Sequence, residues 1–128
     1  MLRFILFMIC SHLSFQSFAV QESDIIGTWS FVESGDDYKD TKSCTFLKGG
    51  KFICEIEEYG FTQRGTGEST TFATKGTWNI SGDKLKMSET ILDNLIETEF
   101  NVSNVNASEL VLMLNTKEQI WQRSLSAN

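Results

Sequence analysis

The sequence predicts an all-β fold, a small antiparallel up-and-down β-barrel of about eight strands. Clusters of glycine, asparagine, aspartate and serine divide residues 20–128 into about eight short runs, most of which alternate apolar with polar residues. None of these runs shows an apolar period of 3.6 residues over three helical turns. Because every connection is short, consecutive strands should pair antiparallel, and eight strands can close into a small barrel without free edges.

Residues 1–19 have the pattern of a secretory signal peptide. Arg3 supplies a positive charge, an apolar run follows at residues 4–10, and Ser17-Phe18-Ala19 forms a small-x-small cleavage site. The apolar run is far shorter than the roughly 20 residues that a membrane span requires. We therefore expect residues 20–128 to form one barrel domain that is periplasmic or secreted and does not span a membrane.

Charge and composition restrict the partners and the chemistry. The chain has a formal net charge of −6, which argues against nucleic acid and anionic membranes as partners. The single histidine, His12, lies in the predicted signal peptide, so the domain has no histidine for acid–base catalysis or zinc binding. A Gly-x-Ser-x-Gly nucleophile motif is also missing. We expect a monomer without catalytic residues, metal or cofactor.

The first predicted strand, residues 25–33, places Trp29 and Phe31 on one face. Its Gly27-Thr28-Trp29 segment recurs as Gly76-Thr77-Trp78 in a long strand later in the chain. Residues 59–67 are the least regular stretch, predicted as a loop or a frayed strand end. The other predicted strands are residues 43–47, 51–57, 68–80, 84–88, 94–105, 110–114 and 118–125.

Cys44 and Cys54 flank the clearest predicted hairpin, whose loop is Lys48-Gly49-Gly50. If all three loop residues are unpaired, Cys44 lies opposite Cys54, at a separation near the lower limit for a disulfide. A two-residue Gly49-Gly50 turn would instead set the cysteines diagonally. Export favours a structural disulfide. The alternatives are a metal site, which would need two further ligands, and a redox pair, which the spacing does not match.

Several of these motifs, in this order and spacing, resemble the bacterial lipocalin-like domain family, small relatives of the lipocalins within the calycin group. The resemblance covers essentially all of residues 20–128. It rests on Gly27-Thr28-Trp29, the hairpin at residues 46–52, the segment at residues 76–85, and a closing strand that carries Trp121 and Arg123.

The resemblance implies how the barrel closes. In lipocalins a basic residue on the last strand packs across the first-strand tryptophan at the base of the barrel. Here Arg123 would cover Trp29, in a cation–π contact that contributes about 0.5–2 kcal/mol. Gly27 would let the chain bend tightly into the barrel.

The barrel interior is the candidate site for a small apolar or amphipathic ligand. Inward aromatic rings could line a cavity or fill the interior completely, and the sequence leaves both interpretations open. Thr74, Glu89 and Thr98 would orient the polar head of a ligand. The ligand-binding candidates are Trp29, Phe31, Phe52, Phe72, Thr74, Trp78, Glu89 and Thr98, and Phe46 and Phe100 are also expected to face inward.

These observations predict an exported, non-catalytic barrel that binds a small ligand. The alternative is a protein-interaction or inhibitor module with a filled core, whose acidic turns near Asp36 and Glu57 would contact a basic protein partner. The spacing of Asp36, Asp37 and Asp40 does not fit a calcium loop, so this segment is interpreted as an acidic turn.

Overall fold

The computed structural model describes residues 19–61 and 67–124, in which eight antiparallel strands close into a barrel. Each strand pairs with the next in the chain, and the last strand pairs with the first. The predicted all-β barrel is therefore confirmed. The elements are α1 (Glu22–Ile25), β1 (Gly27–Ser34), β2 (Tyr38–Leu47), β3 (Lys51–Phe61), β4 (Gly67–Ser81), β5 (Lys84–Ile91), β6 (Asn94–Val105), β7 (Glu109–Leu114) and β8 (Lys117–Arg123).

Residues 1–18 of the predicted signal peptide lie outside the described residues, as do residues 62–66 and 125–128. The one helix in the described part of the chain, α1, has 4 residues. No helix there is long and apolar enough to cross a membrane.

Several strand boundaries differ from the prediction, and those of β1 to β4 bear most on the site. β1 begins at Gly27, because Ile25 ends the single helical turn of α1, which is too short to produce a helical period in the sequence. β2 begins at Tyr38, well before the predicted start at Ser43. The prediction missed the first half of this strand because that half is charged and polar and shows no apolar alternation. β3 extends to Phe61 and β4 begins at Gly67, so the margins of the predicted loop at 59–67 are strand.

The β2–β3 hairpin has the register of a three-residue loop. Cys44 pairs with Cys54 and Phe46 pairs with Phe52. The two cysteines form a disulfide with a Cα–Cα distance of 4.0 Å, and both side chains are fully buried. The prediction of directly opposite cysteines is confirmed, and the diagonal alternative is excluded. The loop accommodates this register because Gly49 and Gly50 both have positive φ angles, +98° and +82°.

The core occupies the half of the barrel that contains α1 and the first residues of β1, which we call the closed half. Phe46 packs against Phe52 at 5.9 Å between ring centroids and edge-on against Trp78 at 5.5 Å. The Trp78 indole N–H donates to the carbonyl oxygens of Leu47 and Lys51, at 3.2 and 3.0 Å. These contacts attach the disulfide-bonded hairpin to β4.

At the end of the closed half, Arg123 lies over the ring of Trp29, with its guanidinium carbon 4.2 Å from the ring centroid. The guanidinium also donates hydrogen bonds to the carbonyl oxygens of Ile26 at 3.2 Å and Asp24 at 3.3 Å. One side chain of β8 therefore contacts both β1 and the segment that precedes it, and the ends of the barrel domain are held together.

Gly27 lies directly beneath this contact. Its φ angle is +133°, which favours glycine, and a Cβ atom at this position would lie 2.6 Å from Nη1 of Arg123, so a larger residue would strain the backbone and push the guanidinium aside. The Trp29 indole N–H donates to the carbonyl oxygen of Ile25 at 2.8 Å. Val20 and Ile25 are buried against the core and cover the end of the barrel.

Removal of the disulfide should destabilise the fold without changing its topology. We expect the double variant Cys44→Ala/Cys54→Ala to lose about 3 kcal/mol of unfolding free energy, since the disulfide closes a short loop in the unfolded chain. Urea unfolding followed by tryptophan fluorescence measures this loss. Wild-type protein in reducing agent should show a similar loss, and a double variant as stable as the oxidised wild type would contradict the prediction.

Arg123→Met should retain most of the apolar packing of the side chain and remove its charged hydrogen bonds. We expect the unfolding free energy to fall by about 1.5–3 kcal/mol, the range for hydrogen bonds to charged groups. The neighbouring exposed Gln122→Met is the control and should change stability by no more than about 0.5 kcal/mol. Equal unfolding midpoints for the two variants in urea would show that the guanidinium contributes nothing to closure.

Candidate functional site

The barrel half opposite the closed half, which we call the open half, contains a cavity of about 240 Å³. An apolar cavity of about 150 Å³ accepts benzene, whereas sites for drug-sized molecules measure about 300–1,000 Å³. The cavity therefore suits a small molecule. Its lining residues are Phe31, Glu33, Asp40, Lys42, Ile56, Met87, Glu89, Thr98, Phe100, Gln119 and Trp121.

The inner part of the cavity is apolar. Phe31 and Trp121 stack with 5.3 Å between ring centroids and an interplanar angle of 27°. Phe31 lies two residues after Trp29 on β1, and Trp121 lies two residues before Arg123 on β8, so all four side chains share the inner face. Buried Met87 and Phe100 and half-buried Ile56 add further apolar surface. A planar apolar group could pack against this surface.

Glu89 is largely buried, with 14% of its side chain accessible. Glu33, the other cavity carboxylate that forms an ion pair, is more exposed. The Thr74 hydroxyl donates to its Oε2 at 2.9 Å, and the Lys42 ammonium lies 3.9 Å from its Oε1. Lys42 is on β2 and Glu89 on β5, which are not neighbours in the sheet. This ion pair therefore crosses the barrel interior above the apolar surface.

Acidic residues line the opening of the cavity. Glu33 on β1 pairs in register with Asp40 on β2, and Asp40 pairs with Glu58 on β3. Lys117 lies 3.3 Å from Glu33 and forms an exposed ion pair with it. Asp40 forms no ion pair within 4.0 Å with another residue of the described ranges. The opening thus presents a row of carboxylates that is only partly neutralised.

Other charges lie outside the cavity. On the outer face, the hydrogen bond from Lys84, with help from Lys86, holds the pKa of the Glu99 carboxyl below its ordinary value. Glu55 and Glu57 are exposed. Within residues 19–61 and 67–124, no three histidine, cysteine, aspartate or glutamate side chains come close enough together to hold a metal ion.

Three of the ligand-binding candidates from the sequence, Phe31, Glu89 and Thr98, line the cavity. Thr74 is buried and contacts Glu89 without lining the cavity itself. Phe72 is 37% exposed and does not line the cavity.

The remaining candidates, Trp29, Phe52 and Trp78, are buried in the core of the closed half, as is Phe46. None of these four rings lines the cavity. The closure residues Gly27, Trp29 and Arg123 are in mutual contact at the end of that half, on the far side of the core from the cavity opening. The two interpretations left open by the sequence therefore each describe one half of the barrel: rings fill the closed half, and a cavity occupies the open half.

Sequence reasoning missed Asp40 and Lys42 as cavity residues because β2 was predicted to begin at Ser43 and Asp40 was assigned to an acidic turn. Both positions share the inward face of Cys44, at steps of two residues, and this parity was the available signal. Glu33, Ile56 and Gln119 also line the cavity and were not among the candidates. Glu33, Asp40 and Lys42 are charged residues on the inner face of a barrel, where an apolar pattern is expected, so apolar alternation alone did not identify them.

The fold is shared with solved structures, among them two proteins from Bacteroides. A lipocalin-like protein from Bacteroides uniformis superposes with a TM-score of 0.53 at 14% sequence identity, over 79% of this chain and 99% of that one. An uncharacterized protein from Bacteroides eggerthii superposes with a TM-score of 0.51 at 12% identity, over 78% of this chain and 99% of that one. Neither a protein-family model nor a curated protein matches the sequence. The structural similarity agrees with the resemblance seen in the motifs, and the chain has a lipocalin-like β-barrel fold.

Proposed function

We propose that this protein binds one small apolar or amphipathic molecule in the open half of its barrel and carries out no reaction on it. The observation that supports this proposal is the cavity of about 240 Å³, with an apolar inner surface and polar groups toward its opening. Such a combination of apolar walls and a few placed polar groups is typical of small-molecule sites. Phe31 and Trp121 would contact the apolar body of the ligand, and Glu89 and Thr98 would contact its polar head.

The chemistry of the cavity supports binding without catalysis. Its side chains include no histidine and no thiol, since residues 20–128 lack histidine and both cysteines of that range form the disulfide. Among the cavity side chains, the carboxylate of Glu89 is the best candidate for a general base. It accepts a hydrogen bond from Thr74 and faces the ammonium of Lys42. Both contacts engage this carboxylate with side chains of the protein itself.

We also propose that the protein is exported, with residues 1–19 as its signal peptide and residues 20–128 as the functional domain. The Cys44–Cys54 disulfide in the core is compatible with an oxidising compartment. Its full burial makes it part of the packing of the closed half.

A protein partner is the second candidate function. Asp36, Asp37 and Glu57 are exposed, as an electrostatic contact with a basic protein requires. We expect capture of such a partner from envelope extract to weaken in high salt and after charge reversal at Asp36 and Asp37. Capture that is insensitive to both changes would contradict an electrostatic contact through this turn.

Binding in the cavity can be tested with 2-phenylethanol, a neutral molecule with one phenyl ring. We expect saturable changes in the ¹H–¹⁵N NMR signals of cavity residues, because the ring can pack against the apolar inner surface. Gln119→Phe should weaken this binding at least about tenfold, which corresponds to about 1.4 kcal/mol, because the new ring occupies the cavity.

Ile120→Phe is the matched control. Ile120 precedes Trp121 on the outer face and is 45% exposed, so the same aromatic ring placed there should leave binding unchanged. Circular dichroism establishes that both variants fold. Equal effects of the two substitutions, or no saturable change in the wild-type spectrum, would contradict binding in the cavity.

A further inference from the structure

We propose that the cavity selects amphipathic cations, small molecules that carry an ammonium group on an apolar body. This inference rests on the proposed function of the cavity and adds the charge of the ligand's head group. It is carried by the placement of charged side chains around the opening, together with the aromatic surface inside.

The first step of the argument is the balance of charge in the cavity. Glu33, Asp40 and Glu89 contribute three carboxylates to the lining, and Lys42 contributes the one ammonium. Lys42 faces Glu89 at 3.9 Å, and Lys117 offsets Glu33 at 3.3 Å. Asp40 is left without an ion pair among the described residues. An entering cation would supply the missing partner, whereas an entering anion would face an excess of like charge.

The second step is the cost of this arrangement to the fold. Glu33 and Glu58 lie directly opposite Asp40 on its two neighbouring strands. Like charges at opposite positions of antiparallel strands are destabilising. Their occurrence on the inner face is a local departure from what stability favours, and such departures concentrate at functional sites.

The acidic surface also continues outward from the cavity. Asp40 borders a second hollow of about 360 Å³ that Glu58 and Glu68 line as well. A concave surface of one charge sign raises the local concentration of oppositely charged molecules and accelerates their association. The approach to the cavity therefore favours cations before they reach the apolar surface.

The third step concerns Glu89 and the inner surface. The Lys42–Glu89 distance of 3.9 Å is long for a charge-assisted hydrogen bond, so Oε1 of Glu89 can still accept a hydrogen bond from a ligand ammonium. The stacked rings of Phe31 and Trp121 lie in the same cavity. Aromatic faces attract cations, and their apolar area packs against the body of the ligand.

Three molecules with similar bodies test the proposal: 2-phenylethylamine as the cation, 2-phenylethanol as the neutral analogue and phenylacetate as the anion. Titrations of the wild-type protein at pH 7 and low salt, followed by calorimetry and by NMR, give the three dissociation constants. We expect the amine to bind about tenfold more tightly than the alcohol, and phenylacetate to bind most weakly. High salt should reduce the preference for the amine, because part of the site is accessible to solvent.

Substitution of single carboxylates shows which of them produces the preference for the amine over the alcohol. Asp40→Asn should narrow the ratio of amine to alcohol affinity several-fold. Glu55→Gln removes the same charge from the exposed outer face of β3 and is the matched control, so it should leave the ratio unchanged. A narrowed ratio in Asp40→Asn alone supports the proposal, and equal narrowing in both variants would overturn it.

The outcomes separate this inference from the proposed function. If the alcohol binds and the amine binds no more tightly than the alcohol, or the anion binds as tightly as the amine, selection of cations is overturned and the cavity remains a ligand site. If none of the three molecules binds, both the inference and the proposed function are overturned.

Discussion

The contact across the β1–β8 junction is the constraint on which the rest of the structure depends. β1 and β8 pair through Trp29 with Arg123 and Ser30 with Gln122, so the sheet hydrogen bonds there extend over a short distance. Side chains strengthen the junction from within the barrel. Arg123 lies over Trp29 at the closed end, and the ring of Phe31 stacks on that of Trp121 farther along. The same junction that closes the barrel thus supplies one wall of the cavity.

The division of the barrel into two halves follows from where large side chains occur on the inner face. In the closed half, the rings of Trp29, Phe46, Phe52 and Trp78 fill the interior around the disulfide. Toward the opening of the open half, the inner positions of β1–β3 carry charged residues, among them Glu33, Asp40 and Glu58, which repel one another or take up water and cannot pack as a core. The cavity is the space between the last packed rings and this charged opening, which makes it suitable for a ligand with one apolar and one polar end.

Much of the fold could be predicted because its signals are local. The alternation of apolar residues predicted the strands, and the Lys48-Gly49-Gly50 loop predicted the register that places Cys44 opposite Cys54. The site was less predictable. Phe31 and Thr98 were assigned to inner faces by the alternation of their strands, and Glu89, just beyond the predicted strand 84–88, was proposed as a polar contact for a ligand. Asp40 and Lys42 were missed because a run of charged residues gives no apolar alternation from which to predict a strand. Whether an inward ring lines a cavity or fills it depends on neighbours that are distant in sequence.

The sequence by itself determined the fold class, the short antiparallel connections and the shared face of Trp29 and Phe31, because each follows from residue types at fixed spacing. It favoured the Cys44–Cys54 disulfide over the alternatives, and the role of Arg123 in closure came from the resemblance to the lipocalin-like family. Only the tertiary structure decided that packed rings fill the interior at one end and that a cavity lies at the other. It also showed that Lys42 meets Glu89 across the barrel. Both results depend on strand pairing around the whole barrel and on how side chains from non-neighbouring strands share the interior, which no local spacing specifies.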